Sequence, residues 1–298
     1  MKKSLFYGIL ASFFFAFTFI LNRSMNLDGG YWMWSASLRY IFMLPILFVI
    51  LISTKGIKMT LVHIKENLVS WIVYSSIGFG IFYTFITLGS VYGNSYFVAA
   101  TWQITIVAGI LLTPLFHSKI PVKNLLYSIL IVIGVFILQL ENMEGLSLGN
   151  TLLPLAIILV AAFAYPLGNR KMMSLCKDSL STLERVFGMT LCSMPYWIIL
   201  SIIAYSKEGL PSKSQVEMSV LVALFSGVIA TLLFFKATDM IKNNPKQLAI
   251  IEATQSGEVV FSLLGGIIIS GDPIPSIVGF IGLAFIIIGM VINSMANK

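Results

Sequence analysis

Charge is what this chain has least of. Lys and Arg together number 19 and Asp and Glu 12 in 298 residues, so charged residues make up 10%. A soluble domain carries about 25%. So few charges cannot cover a water-facing surface, and the 58% of hydrophobic residues must face lipid. Cysteine is nearly absent, with only Cys176 and Cys192, which excludes a disulfide framework. The two histidines, His63 and His117, are far apart and lack ligand spacing, so no metal site is expected. No Walker A sequence, nucleophile elbow, zincin helix or paired-carboxylate signature occurs, so neither a catalytic site nor a bound cofactor is expected.

The net charge of +7 has a bland origin. The basic residues fall between apolar stretches, where they orient a membrane protein. They form no patch with interleaved aromatics, so nucleic acid is not an expected partner. Lys2-Lys3 followed by an apolar run to Leu21 imitates a signal peptide, but no small-x-small cleavage site follows. It reads as an uncleaved first helix.

Apolar stretches long enough to cross a bilayer recur along the whole chain. They fall at 4–22, 32–53, 68–90, 94–116, 122–140, 149–169, 182–205, 217–240, 246–269 and 274–295. Short polar connections join them and leave no room for a soluble domain. Pro45, Pro114, Pro154, Pro166, Pro195 and the Gly265-Gly266 pair interrupt some spans, which membrane helices tolerate when neighbours satisfy the freed backbone. With a cytoplasmic N-terminus, the inner segments hold Lys2, Lys3, Lys55, Lys58, Lys65, Lys119, Lys123, Arg170, Lys171, Lys177, Lys242, Lys246 and Lys298. The outer segments hold only Arg23, Lys207 and Lys213. This asymmetry predicts both termini inside.

The fourth and fifth stretches echo the ninth and tenth. Gln103 to Pro121 matches Gln255 to Pro273, with the same 18-residue step from Gln to Pro. Asn22-Arg23-Ser24-Met25 matches Asn169-Arg170-Lys171-Met172, Phe82-Tyr83 aligns with Phe234-Phe235, and Arg39 falls near Arg185. Two copies of an odd number of spans must lie in opposite orientations. The expectation is an all-α membrane protein of ten transmembrane helices, built as two inverted five-helix repeats at 1–145 and 146–298. Many secondary transporters share that plan, with substrate sites near the midplane between halves.

These features resemble the drug/metabolite transporter superfamily. The resemblance covers nearly the whole chain: ten spans in two halves, cytoplasmic termini, a proline turn after the fourth span, and Gly134-Val135 and Gly289-Met290 in the fifth and tenth. Within that superfamily the chain looks most like the multidrug resistance efflux transporters of Gram-positive bacteria. The resemblance implies a bundle that exports small molecules, with spans 1–4 and 6–9 lining a cavity and spans 5 and 10 peripheral. The four-span small multidrug resistance relatives use a Glu in their first helix for proton coupling. This first helix has no acid, so that site does not carry over.

Ionisable residues inside hydrocarbon are costly and mark functional sites by default. Glu258 lies about 12 residues from either end of its span, near the midplane at about 1.5 Å per residue. It reads either as a proton-coupling or cation-binding carboxylate, or as a structural partner of Arg39 or of a backbone break near Gly257. Arg39 fits an anionic substrate group, a pairing with Glu258, or snorkelling to the outer face. Gln103 and Gln255 enter their spans from opposite sides and either flank the cavity or bridge helices. Trp102, Tyr83 and Tyr165 offer aromatic faces to a lipophilic cation, or merely pack. Glu252 and Lys236 lie at similar depth across a turn at Asn243-Asn244-Pro245, with Asp239 one turn below. They read as an ion pair or as a gate.

The expected activity is proton-coupled export of small lipophilic cations across the cell membrane, with protons and the bilayer as partners. An exporter or facilitator of a metabolite, such as an amino acid or nucleotide-linked sugar, would lean on Arg39 instead. A membrane-embedded lipid enzyme is a remoter reading, since its polar residues would cluster at one interface. A purely structural or sensory protein would leave the midplane charges unexplained.

Overall fold

In a computed structural model of the chain, residues 2–52, 56–142, 148–177, 179–241 and 245–296 are described. Among them every regular element is helical. The helices are α1 (Lys2–Leu27), α2 (Trp32–Ile52), α3 (Gly56–Glu66), α4 (Leu68–Tyr92), α5 (Ser95–Leu111) and α6 (Val122–Asn142). They continue as α7 (Leu148–Cys176), α8 (Thr182–Cys192), α9 (Met194–Glu208), α10 (213–239), α11 (245–270) and α12 (Ile277–Ala296). The expected half boundary at 145–146, and the basic residues Lys55, Lys242 and Lys298, lie outside the described residues.

Among the described residues, eight helices are long and apolar enough to cross a membrane, and α8 and α9 add a ninth if the pair, bent by 42°, counts as one span. The remaining expected span, 94–116, is shorter than foreseen. Its apolar helix α5 stops at Leu111 and gives way to a 3₁₀ turn over Thr113–Phe116, because Pro114 has no amide hydrogen to continue the ladder. The molecule is apolar on the outside. Val69, Phe136, Ile202, Ile268 and Ile277 are all exposed, as lipid-facing side chains must be. This is a multi-pass membrane protein.

The helices pair around a largely apolar core that also holds buried polar side chains. α1 packs on α10 and α11, and α7 on α4 and α5. α2 packs on α8, α9 and α10, while α6 and α12 form another extensive pair. With no hydrophobic drive between helices in lipid, close approach depends on small residues. Gly78 of α4 faces Gly168 of α7, backbone against backbone. In the α6–α12 seam, a Cβ at Gly134 would stand 2.6 Å from the Gly282 carbonyl oxygen. Asn293 Nδ2 donates to the Asn124 carbonyl at 2.8 Å and locks the same seam.

Three spans are locally irregular. π-helical turns interrupt α4 at Ser76–Ile81 and α10 at Ala223–Ile229, and one ends α11 at Gly266–Ser270. Such turns are frequent at functional sites.

Gly134→Val should force α6 and α12 apart. The expected cost is about 1–3 kcal/mol, typical of overpacking. It would show as a lower unfolding midpoint in detergent, whereas Val132→Leu on the exposed face of α6 should leave the midpoint unchanged.

Candidate functional site

A guanidinium is buried among the helices of this core. Arg39 of α2 is 8% exposed. Its two terminal nitrogens donate to Thr18 Oγ1 of α1 at 3.1 Å and Ser226 Oγ of α10 at 3.2 Å. Its charge lies over the Tyr83 ring of α4, 4.1 Å from the centroid, and 5.6 Å from that of Tyr40. Asn22 Nδ2 donates to the Tyr83 hydroxyl at 3.0 Å and so fixes that ring. Tyr40 in turn stacks on Trp197 of α9, with centroids 4.6 Å apart. Arg39 therefore does not snorkel. It is held by hydroxyls and ring faces, and its Nε has no hydrogen-bond partner.

The carboxylate lies elsewhere in the same interior. Glu258 is 9% exposed in the first turn of the helix Gly257–Gly265, the middle part of α11. The polar group facing it is the Gln103 amide of α5. Gln103 also donates to its own Ala99 carbonyl at 3.0 Å, which fixes the side chain. Among the described residues no ion pair joins Glu258 to Arg39 or to any other base. Gln103 and Gln255 both sit at breaks. Gln103 separates Ser95–Trp102 from Ile104–Leu111, and Gln255 lies in the 3₁₀ turn Thr254–Ser256. Gln255 Nε2, Ser262 Oγ and Thr101 Oγ1 are buried without a hydrogen-bond partner. Gln255, Glu258 and Ser262 lie at i, i+3 and i+7, on one face of α11.

Aromatics join the two charges. Tyr165 of α7 feels the charges of Glu258, Arg185 and Arg39. Its ring packs on Phe82 with centroids 4.9 Å apart and on Trp102 at 5.4 Å, yet 37% of its surface stays exposed. Tyr83 and Trp102 are buried.

The expected pair at the end of α10 is not formed. Lys236 is turned toward α1, its ammonium 4.7 Å from the Tyr7 ring centroid, and no ion pair links it to Glu252 among the described residues. Glu252 is exposed. The Asp239 side chain and the turn residues Asn243 and Asn244 lie outside the described residues.

Sequence reasoning missed a latch at the end of the bundle where α1 finishes. Arg23 Nε meets Asp272 Oδ1 at 3.4 Å, and Arg23 also donates to the Ser90 carbonyl at 3.3 Å. Asp272 Oδ2 accepts from the Ser95 amide at 2.8 Å, and its side chain is 1% exposed. Ser24 and Ser270 hydroxyls lie 2.9 Å apart beside it, and Gln215 Nε2 donates to the Tyr31 carbonyl at 2.8 Å. Asp272 immediately precedes Pro273 in the repeated segment, so its position was visible but its partner was not. Tyr40, Trp197, Thr18 and Ser226 were also missed. Only the packing of four helices around Arg39 reveals them.

Single and double alanine variants at Arg23 and Asp272 should be non-additive. The expected coupling is about 1–3 kcal/mol in a detergent unfolding cycle, because each single variant leaves a poorly hydrated charge unpaired. Strict additivity would mean that the contact does not hold this end together.

Comparison with known proteins agrees with the architecture. The family model described as "EmrE: Putative multidrug resistance efflux transporter" matches residues 2–298. "Uncharacterized protein YjlA" of Bacillus subtilis (strain 168) is 47% identical over 309 aligned positions, covering 99% of this chain and 95% of that protein. An "Uncharacterized 42.1 kDa protein in intracellular alkaline protease 3'region" of Shouchella clausii is 44% identical over 268 positions, covering 87% of this chain and 70% of that one. This chain belongs to the EmrE-type multidrug resistance efflux transporter family, within the drug/metabolite transporter superfamily.

Proposed function

We propose that this protein is a secondary exporter that exchanges protons for small lipophilic cations across the cell membrane, and that Glu258 carries the coupling. The observation behind this reading is a buried carboxylate that faces the Gln103 amide and has no basic ion-pair partner among the described residues. A carboxylate tied to Arg39 would be locked in its charged form. This one is free to trade a proton for a cation. Deprotonated Glu258 accepts the substrate. A proton arriving from outside then displaces it, and competition for one carboxylate couples the flows. Gln103 and Gln255 flank the carboxylate, and Tyr165 and Trp102 offer ring faces to the cation, whereas Tyr83 is buried beneath the Arg39 guanidinium.

The reading includes ten spans in two inverted halves, 1–145 and 146–298, with both termini cytoplasmic. Three observations support it. α1 packs on α10 and α11 as α7 packs on α4 and α5, which is the exchange that a two-fold axis in the membrane plane produces. The paired glutamines both lie at helix breaks, and π turns occur in both α4 and α10. On this orientation the Arg23–Asp272 latch closes the outer end, and Glu252, Lys236 and Asp239 lie near the inner end as candidate gate residues. Export by rocking one half against the other needs no catalytic residue and no cofactor.

A second reading has one observation in its favour. Arg39 is buried with no carboxylate partner among the described residues, held by neutral hydroxyls and rings, so an anionic metabolite would find a fixed cation waiting. The two readings separate in proteoliposomes with an imposed proton gradient. Lipophilic cations should drive proton flux in the wild type, and Glu258→Gln should lower that flux at least about tenfold while the protein still inserts and folds. Flux that survives Glu258→Gln removes the coupling role. Arg39→Gln should abolish transport of anionic metabolites if the second reading holds. Cation flux kept in Arg39→Gln, together with no response to any anion, eliminates that reading.

A further inference from the structure

The end of the bundle opposite the latch carries an arginine with no acid partner among the described residues. Arg170 of α7 is the counterpart of Arg23 in the matched Asn-Arg segments. Arg23 finds Asp272. Arg170 instead donates to the Gly109 carbonyl at 2.6 Å, and its charge lies 5.8 Å from the Phe116 ring centroid. The Lys171 ammonium lies 5.3 Å from the same centroid. Two cations thus share one ring, and neither has an ion-pair partner among the described residues. Both are only half-buried.

The sequence explains the missing acid. The 152-residue step that takes Gln103 to Gln255 and Pro121 to Pro273 takes Ile120 to Asp272. Where one end has Gly271-Asp272-Pro273, the other has Lys119-Ile120-Pro121. The carboxylate is replaced by an apolar residue beside a further cation. A cleft of about 340 Å³ opens at this point, lined by Thr113, Phe116, Ser118, Arg170, Met173 and Ser174. It therefore offers a guanidinium fork and the Ser174 hydroxyl, while Thr113 and Ser118 donate to the Gly109 and Phe116 carbonyls, with two lysines nearby and no acid among its lining residues.

We infer that this cleft binds a phosphate group, which takes the place at this end that Asp272 fills at the other. The planar guanidinium fork and a hydroxyl suit phosphate oxygens. Basic clefts between helix ends at the cytoplasmic face are where anionic headgroups bind. The phosphate belongs either to an anionic lipid or to a soluble phosphate ester, and both present the same chemistry to Arg170. The inference concerns Arg170 and its neighbours and does not depend on Glu258.

The test is thermal unfolding of the full chain in detergent, followed by tryptophan fluorescence. Titrants are short-chain phosphatidylglycerol, inorganic phosphate at matched ionic strength, and phosphatidylcholine as a neutral control. Saturable stabilisation by phosphatidylglycerol, weakened at least about tenfold in Arg170→Gln/Lys171→Gln and unchanged in Lys207→Gln at the other end, identifies a lipid headgroup site. The same pattern with inorganic phosphate identifies a soluble phosphate source. Ile120→Asp supplies the missing acid from within and should weaken either ligand by a similar factor, which keeps the test decisive if the double variant does not fold. No saturable response of the wild type to either anion overturns the inference. So does a response that the Arg170 and Ile120 variants leave intact.

Discussion

A guanidinium buried among apolar helices is the constraint around which this bundle is arranged. An arginine keeps its charge in any protein environment, so Arg39 cannot escape the cost of burial by losing a proton. The surroundings must carry that charge instead. Thr18 comes from α1, Ser226 from α10 and Tyr83 from α4, so four helices converge on one side chain. Asn22 orients Tyr83, and Trp197 backs Tyr40. Removing any one of these groups leaves the same charge with fewer partners.

Glu258 is the complementary case. A carboxyl can become neutral, and burial away from water favours that form unless a partner opposes it. Gln103 is a weak opponent compared with a base. The interior thus combines one charge that is fixed and one that can be switched. With Glu258 ionised the two cancel, and a cation near the carboxylate pays no penalty from Arg39 that the carboxylate does not offset. With Glu258 protonated only the arginine remains, and the same cation is repelled. On the proposed reading the fixed charge therefore sharpens the exchange, because it turns loss of attraction into active expulsion. Tyr165, which interacts with both groups and is partly exposed, is where such a cation would sense the change on that reading.

Most of the helical layout was legible in the sequence because membrane burial imposes long apolar runs, and such runs read directly from hydropathy. The span that fell short, 94–116, is where Gln103 and Pro114 break the helix, and a hydropathy window averages over such breaks. The site was half legible. Arg39, Glu258, Gln103 and Tyr165 stood out as polar or aromatic residues at interior depth. Their relations did not. Depth along a helix is a one-dimensional quantity, so it could not say that Arg39 and Glu258 stay unpaired, or that Lys236 turns to Tyr7 and away from Glu252. Hydroxyl partners such as Thr18 and Ser226 carry no signal of their own, since Ser and Thr are ordinary in membrane helices. Asp272 was hidden for the opposite reason. It sits in a connection, where a charge needs no explanation until its side chain proves to be 1% exposed.

On the proposed reading, the two ends of the bundle bear on how alternating access is biased. If the halves were equivalent, a structure closed at one end and its mirror closed at the other would have similar free energies, and a small driving force would move the protein between them. Asp272 breaks that equivalence. One end is held by a carboxylate that meets Arg23 and the Ser95 amide, and the other offers Arg170 only a backbone carbonyl and a ring. A bias of a few kcal/mol is enough to make one conformation dominate about a hundredfold or more. The form with the Arg23 end shut is therefore the resting form on this reading, and opening that end requires separating a poorly hydrated ion pair. An anion seated at Arg170 would restore the balance by giving the second end the negative charge that Ile120 withholds.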